Sequence, residues 1–163
     1  MKLARVAAVF AVLGMLSGCA SSSPPVALGG DGISFCSPSD FDEPFALVVP
    51  VQNSGDEAVT LDSVTANLIN ATLEKTVFVG EFAAESDDTL ASASGGGESD
   101  VPGIANGTDA TETSIPAHSR GELAIVFSAS DETSSLQGIT ATFGDTTLTS
   151  AATVEFPADG CGG

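Results

Sequence analysis

The sequence predicts an all-β domain, a two-sheet antiparallel sandwich of seven or eight short strands. Three observations support this prediction. Apolar and polar residues alternate with a period of two in several segments, as in strands with one buried face. Turn-forming residues separate these segments, and none of them gives a confident helix. A cysteine lies near each end of the domain, at Cys36 and Cys161. A small jelly roll or an open barrel is the alternative.

The first strands follow one another closely. In EPFALVVPVQN (43–53) every second residue is a large apolar one. Because Pro50 cannot donate a ladder hydrogen bond, we expect this strand to lie at a sheet edge or to carry a bulge. The turn NSGDE (53–57) leads into AVTLDSVTANLI (58–69). Its apolar positions change parity near residues 62–63, which predicts a bulge or a crossing between sheets.

Later segments continue the pattern. ATLEKTVFVGEF (71–82) places two valines on one side and two phenylalanines on the other. TSIPAHSRGELAIVFSAS (113–130) passes through a turn into a strand, and Gly144 and Asp145 form a two-residue hairpin connection between two more strands. In the strand at 71–82, Val77 and Val79 lie on one side and Phe78 and Phe82 on the other. The residues expected on one face of each later strand are Leu123, Ile125 and Phe127, then Ile139, Ala141 and Phe143, then Leu148, Ala152, Val154 and Phe156.

One segment departs from the strand pattern. Residues 83–112 are acidic and rich in glycine and serine, and VPGI (101–104) is their only stretch suited to burial. The segment is longer than an ordinary structureless loop, so it is either a functional insertion or disordered.

The amino terminus has the features of a signal for export from the cytoplasm. Lys2 and Arg5 precede an apolar run that is too short to span a bilayer, which is typical of a signal peptide. LSGC (16–19) resembles the lipobox of bacterial lipoproteins. That resemblance implies cleavage after residue 18, a diacylglycerol on Cys19 and an extracytoplasmic protein anchored to the cell membrane. Residues 19–32 are expected to form a flexible tether, and residues 33–163 the domain.

The strongly negative net charge argues against two kinds of partner, nucleic acid and anionic lipid headgroups. All 22 acidic residues follow Cys19, and removal of Lys2 and Arg5 with the signal would take the formal net charge from −18 to −20. Nucleic acid is excluded because phosphate binding needs a cationic surface. Adsorption to anionic headgroups is disfavoured for the same reason, so the lipid anchor must hold the protein at the membrane.

Once Cys19 is lipidated, one pair of cysteines remains. In an oxidising compartment Cys36 and Cys161 are expected to form a disulfide, and two free thiols are the alternative. Both methionines leave with the signal and one histidine remains, so no site for a soft metal is expected.

Two stretches, VPVQNSGDEAVTLDSV (49–64) and IPAHSRGELAIVF (115–127), resemble segments of immunoglobulin-like domains in secreted actinobacterial lipoproteins. The resemblance spans about residues 44–130. It implies an immunoglobulin-like sandwich that acts as a surface module, usually without known activity. The buried tryptophan and the mid-strand cysteine pair of antibody domains are missing.

Few residues offer catalytic chemistry. His118 is the single histidine, it lies in a predicted turn, and no G-x-S-x-G motif follows the signal. Glycoside cleavage is disfavoured because the chain has no tryptophan or tyrosine to stack on a sugar. We therefore expect that the protein is not an enzyme and that it binds no cofactor.

Carboxylates are the abundant functional group, and calcium prefers several oxygen ligands. The candidate ligands do not have the spacing of a known calcium loop, and a solvated acidic surface is the simpler interpretation. These candidates are Glu85, Asp87, Asp88, Glu98 and Asp100. The sequence thus predicts a non-enzymatic, lipid-anchored module with a structural role in the envelope or a protein partner there. A calcium-dependent binding or adhesion module is the alternative.

Overall fold

A computed structural model describes residues 25–37, 43–85, 90, 92–130 and 133–161. Within these ranges the chain forms eleven strands and no α-helix. The strands are β1 (Val26–Leu28), β2 (Ser34–Cys36), β3 (Phe45–Asn53), β4 (Val59–Ile69), β5 (Ala71–Ala84), β6 (Ser94–Gly97), β7 (Thr108–Asp109), β8 (Ser114–Ile115), β9 (Ser119–Ala129), β10 (Ser134–Phe143) and β11 (Thr146–Phe156).

The strands form two packed sheets, a β-sandwich of the immunoglobulin-like type. Sheet I has the order β1-β3-β9-β5-β7, and β6 also pairs with β3. Sheet II has the order β2-β11-β10-β4-β8. All pairs are antiparallel except that between β2 and β11, which is parallel. The predicted all-β sandwich is therefore confirmed, with one parallel pair in sheet II.

The predicted strand number of seven to eight is too low. The six long strands, β3, β4, β5, β9, β10 and β11, coincide with the segments that alternate in the sequence. The other five are two to four residues long. Strands so short contain too few residues to show a period of two, so pairing with a long neighbour defines them rather than their own pattern.

The expectation that Pro50 marks an edge strand is wrong. β3 pairs with β9 along its whole length on one side. On its other side β1 pairs with residues 51–53 and β6 with residues 45–48. The Pro50 carbonyl accepts a hydrogen bond from the Gly29 amide on this second side, at 2.8 Å. Its ring nitrogen faces the same side, because both backbone groups of one residue point the same way in a strand. Pro50, which lacks a backbone N–H, thus lies between the part of β3 that pairs with β1 and the part that pairs with β6, so no ladder hydrogen bond of either pair is lost.

The main core lies between the sheets. The expected inward residues of β9, β10 and β11 are buried there, apart from Leu148, which is partly buried against the core. Three phenylalanines from β3, β9 and β11, Phe45, Phe127 and Phe156, pack together with ring centroids 5.3 to 5.8 Å apart. Large aromatic side chains bury the most apolar area per residue, so this cluster is a major contributor to stability.

The predicted bulge in β4 is present. Thr142 pairs with Ser63 and Phe143 with Leu61, which leaves Asp62 as the extra residue. A carboxylate oxygen of Asp62, Oδ2, accepts the backbone N–H of Gly144 at 2.7 Å. The bulge therefore also holds the turn of the β10–β11 hairpin.

A second apolar layer covers part of the outer surface of sheet I. Val77 and Val79 of β5 point to this surface, opposite Phe78, as their alternation predicts. Residues of the acidic segment lie over them, and Ile104 is buried there. The described part of residues 83–112 is thus ordered: it supplies β6, β7, the end of β5 and two 3₁₀ turns, Glu98–Asp100 and Ile104–Asn106.

The sandwich has two distinct ends. At the tether end Ser54 donates its backbone N–H to the Pro25 carbonyl at 2.7 Å, and Val26 pairs with Asn53. At the distal end Asn70 alone connects β4 to β5. Cys36 also lies there, because it pairs with Glu155 near the end of β11. The expected tether, residues 19–32, is too long, since the buried Val26 already belongs to sheet I.

Candidate functional site

The disulfide predicted between Cys36 and Cys161 is present. It joins residues 125 positions apart and lies at the distal end of the sandwich. Cys36 is the last residue of β2, which pairs with β11, and Cys161 lies in the segment that follows β11. The bond therefore fastens both ends of the domain to sheet II. Cys19 lies outside the described residues, and its lipidation stays a prediction.

The described calcium candidates do not converge. Glu85 is at the tether end, where its backbone N–H donates to the His118 carbonyl. Glu98 is near the distal end, where its backbone N–H donates to the Pro44 carbonyl and its carboxylate pairs with Lys75. Asp100 follows Glu98 in the same 3₁₀ turn. Asp87 and Asp88 lie outside the described residues. Among the described residues no group of three His, Cys, Asp or Glu side chains could hold a metal ion.

His118 lies between two carboxylates at the tether end. Its Nε2 is 3.0 Å from Asp56 Oδ1, and its Nδ1 is 3.8 Å from Glu85 Oε2. Glu85 also accepts a hydrogen bond from Gln52 Nε2 at 2.6 Å. His118 has a left-handed backbone, with φ of 49°, as residues in tight turns often do. The imidazole thus contacts acidic side chains in an exposed turn.

Beneath this turn, Asn53 is fully buried and organises the tether end. Its side-chain amide donates to the carbonyls of Glu57, Ile115 and Pro116 at 2.8 to 3.2 Å. Its Oδ1 accepts the Gly55 backbone N–H at 3.0 Å. One side chain therefore links the turn after β3 to the segment before β9.

The side of the sandwich between β4 and β5 is closed by residues 108–115. β7 pairs with β5 in sheet I, and β8 pairs with β4 in sheet II. Between them Asp109 Oδ1 accepts the hydroxyl and the backbone N–H of Thr111, at 2.7 and 2.9 Å. These hydrogen bonds, the hydroxyl first, hold the pKa of the Asp109 carboxyl below its ordinary value of 3.8.

The outer surface of sheet II carries an ordered array of hydroxyl groups. Thr140 of β10 pairs with Thr65 of β4 and Thr149 of β11, which forms one row across three strands. Thr142 pairs with Ser63 and Thr147 to form a second row. We call this surface the threonine face, composed of Ser63, Thr65, Thr140, Thr142, Thr147 and Thr149. Its side chains repeat at about 4.8 Å across the strands and about 6.7 Å along them.

Next to the first row the threonine face contains a shallow depression of about 410 Å³. It lies at Gly138, where the register of β10 shifts and φ is 93°. A Cβ atom at Gly138 would lie 2.9 Å from the Ser150 carbonyl oxygen, so a side chain would not fit at this position without a shift of the backbone. The amide side chains of Asn67 and Gln137 line the rim with threonines. The depression thus offers hydrogen-bond donors and acceptors together.

The six residues of the threonine face carry no charge in a strongly acidic protein, although the carboxylate of Asp31 lies beside the depression, where its Oδ1 accepts the Ala151 backbone N–H at 2.8 Å. β10 contains no charged residue, and β4 and β11 contain one each, Asp62 and Glu155, at opposite ends of the face. The long strands β5 and β9 of sheet I carry Glu74, Lys75, Glu81, Arg120 and Glu122. Apart from Asp62 and Glu155, the charged residues of the described strands therefore lie in sheet I, and the other described charged residues lie in the connecting segments.

Sequence reasoning missed the threonine face, although a signal for it exists. The alternation in TATF (140–143) and TTLTS (146–150) assigns the apolar residues to the core. The residues between them are then all hydroxyl side chains that face outward. What the alternation does not give is the alignment of three strands that brings these hydroxyls into rows.

No protein-family model matches the chain, and no curated protein matches it significantly.

Among the residues that the structure describes, we find no helix long and apolar enough to cross a lipid bilayer.

Proposed function

We propose that this protein is a non-enzymatic binding module exported across the cytoplasmic membrane and anchored to its outer side by a lipid on Cys19. The observation that carries the proposal is the disulfide between Cys36 and Cys161. Structural disulfides form and persist in oxidising compartments outside the cytoplasm. The bond thus supports export independently of the signal peptide and lipobox, which are features of the sequence.

The position of Pro25 sets the orientation that we propose for the anchored domain. Six peptide steps separate Cys19 from Pro25 and span at most about 20 to 22 Å. Because Pro25 is bound at the tether end, this end would face the membrane and the distal end would face away from it. Sheet II, with its threonine face, would then stand roughly upright and accessible from the side.

The environment of the reactive side chains supports a binding role. Both described cysteines are joined in the disulfide, so neither is a free nucleophile. The imidazole of His118 contacts the carboxylates of Asp56 and Glu85. The extended surfaces of the sandwich are the features through which such a module would bind another envelope component.

The anchor is tested by replacing Cys19. In the native host, Cys19→Ala should move the protein from the membrane fraction to the soluble fraction, and from the detergent phase to the aqueous phase of a non-ionic detergent. Ser21→Ala is the matched control and should leave partitioning unchanged. Detergent-phase partitioning of Cys19→Ala equal to that of the wild type would refute lipid anchoring.

A further inference from the structure

We propose that the threonine face binds an uncharged glycan chain. The inference deepens the proposed function by naming the class of partner. It rests on that function only for the location of the glycan, outside the cytoplasmic membrane. Three observations support it: the six residues that define the face are uncharged, their hydroxyl groups and the neighbouring amides can form hydrogen bonds, and the face is shallow.

The charge distribution selects a neutral ligand. A polyanion would be repelled by a protein with a formal charge of −18 or below. A cationic partner would find its attractive charges on sheet I and the connecting segments, because β10 and the central parts of β4 and β11 have none. A neutral polyhydroxyl chain avoids the repulsion, and the carboxylate of Asp31, which lies beside the depression, already accepts the Ala151 backbone N–H at 2.8 Å.

The available hydrogen-bonding groups fit a sugar. Within the described structure, the hydroxyls of Thr65, Thr140 and Thr149 form no hydrogen bond to protein, so each can both donate and accept. The Asn67 amide is exposed, and among the described residues its side chain forms one hydrogen bond, to the Gln137 carbonyl, which is long at 3.4 Å. Sugar hydroxyls need this mixture of donors and acceptors in close succession.

The shape favours a chain over a single sugar. The depression at Gly138 is shallow, and no tryptophan or tyrosine exists in the protein to stack on a sugar ring. Each neutral hydrogen bond contributes little net binding free energy because it replaces a bond to water. A polymer can engage both rows and the depression at once, and such linked contacts multiply the apparent affinity.

The same features disfavour a protein partner on this face. Protein interfaces depend on buried aromatic, arginine or large aliphatic anchors. The outward residues of the threonine face are hydroxyl side chains, and the nearest large apolar one is the 43 % exposed Ile69 at the distal end of β4. A second copy of this chain would bring two strongly acidic molecules together without such an anchor.

Binding is tested with the purified full-length protein in a polyoxyethylene detergent at physiological salt. The probes are insoluble amylose, cellulose, chitin and mannan, with polygalacturonate as the anionic control. We expect retention on at least one neutral glycan and none on polygalacturonate. Thr65→Glu with Thr149→Glu should reduce retention at least tenfold. The isosteric pair Thr65→Val and Thr149→Val should also reduce it, since hydroxyls are lost without added charge.

The matched control is Thr72→Glu with Thr108→Glu, which adds the same charge at exposed positions of β5 and β7 in sheet I. It should retain full binding, and all variants should keep the wild-type unfolding midpoint within a few degrees. Three results would overturn the proposal: no retention on any of the four neutral glycans, equal loss in the control pair, or a dimer in sedimentation that Thr65→Glu with Thr149→Glu dissociates. The last would assign the face to a second copy. Membrane partitioning of Cys19→Ala tests the anchor separately.

Discussion

Cys36 and Cys161 are bonded at the end of the sandwich opposite to Pro25, where the chain enters the first sheet. The bond joins the carboxyl-terminal segment to the last residue of β2, beside the end of β11. The loop that it closes contains nearly the whole domain, which is the arrangement in which a cross-link restricts the unfolded chain most.

Loss of this bond should lower stability markedly. The double variant Cys36→Ser and Cys161→Ser should lose up to about 4 to 5 kcal/mol of unfolding free energy, because the unfolded chain regains the entropy of an open loop of this length. Urea unfolding measures the loss, and reduced wild-type protein should behave like the variant. Two reactive thiols in oxidised, urea-unfolded wild type would show that the bond does not form.

The buried Asn53 should be among the most sensitive polar positions. Asn53→Ala removes the hydrogen-bond donor of three carbonyls, those of Glu57, Ile115 and Pro116. The hydrogen bond to the Ile115 carbonyl is buried. Leaving buried acceptors unsatisfied should cost about 1 to 3 kcal/mol of unfolding free energy. Urea unfolding of Asn53→Ala and of Asn67→Ala, an exposed amide with one long contact, provides the comparison. An equal effect of both substitutions would contradict the role of Asn53.

Asp109 should make stability depend on pH in the acidic range. Its pKa is lowered in the folded protein by the hydroxyl and backbone N–H of Thr111. The folded state therefore favours the ionised carboxylate, which stabilises the fold at pH above its ordinary value of 3.8. This contribution disappears as the pH falls through the lowered pKa.

The variant Asp109→Asn isolates this contribution. Its unfolding midpoint should lie below that of the wild type at neutral pH, and the difference should shrink as the pH falls below about 3.8. Asp145→Asn, at an exposed turn, is the control for general loss of negative charge. A difference between wild type and Asp109→Asn that stays constant down to pH 2 would contradict the assignment.

Calcium should not stabilise the described part of the domain specifically. Glu85 and Glu98 lie at opposite ends of the sandwich, and Lys75 already neutralises Glu98. Millimolar calcium chloride should therefore shift the thermal midpoint no more than sodium chloride of equal ionic strength. A larger rise would reveal binding to the native state and support the adhesion hypothesis instead. Asp87→Asn with Asp88→Asn would then show whether these two residues take part.

The long strands and their buried faces could be predicted because a period of two is a local property of the chain. Phe127, Phe143 and Phe156 could be assigned to the core without any knowledge of their neighbours. The bulge at Asp62 was predictable for the same reason, since a change of parity is visible within one strand. The short strands β1, β6 and β7 were not, because each is defined by hydrogen bonds to a strand distant in sequence.

The sequence alone therefore determined which segments form the long strands, which side of most of them faces the core, and that Cys36 and Cys161 pair. The tertiary structure decided that Pro50 occupies a gap inside a sheet and that the described calcium candidates are separated. It also decided that the threonines of three strands form one uncharged face. The reason is physical: side-chain alternation is set residue by residue, whereas register and sheet order depend on the packing of the whole core.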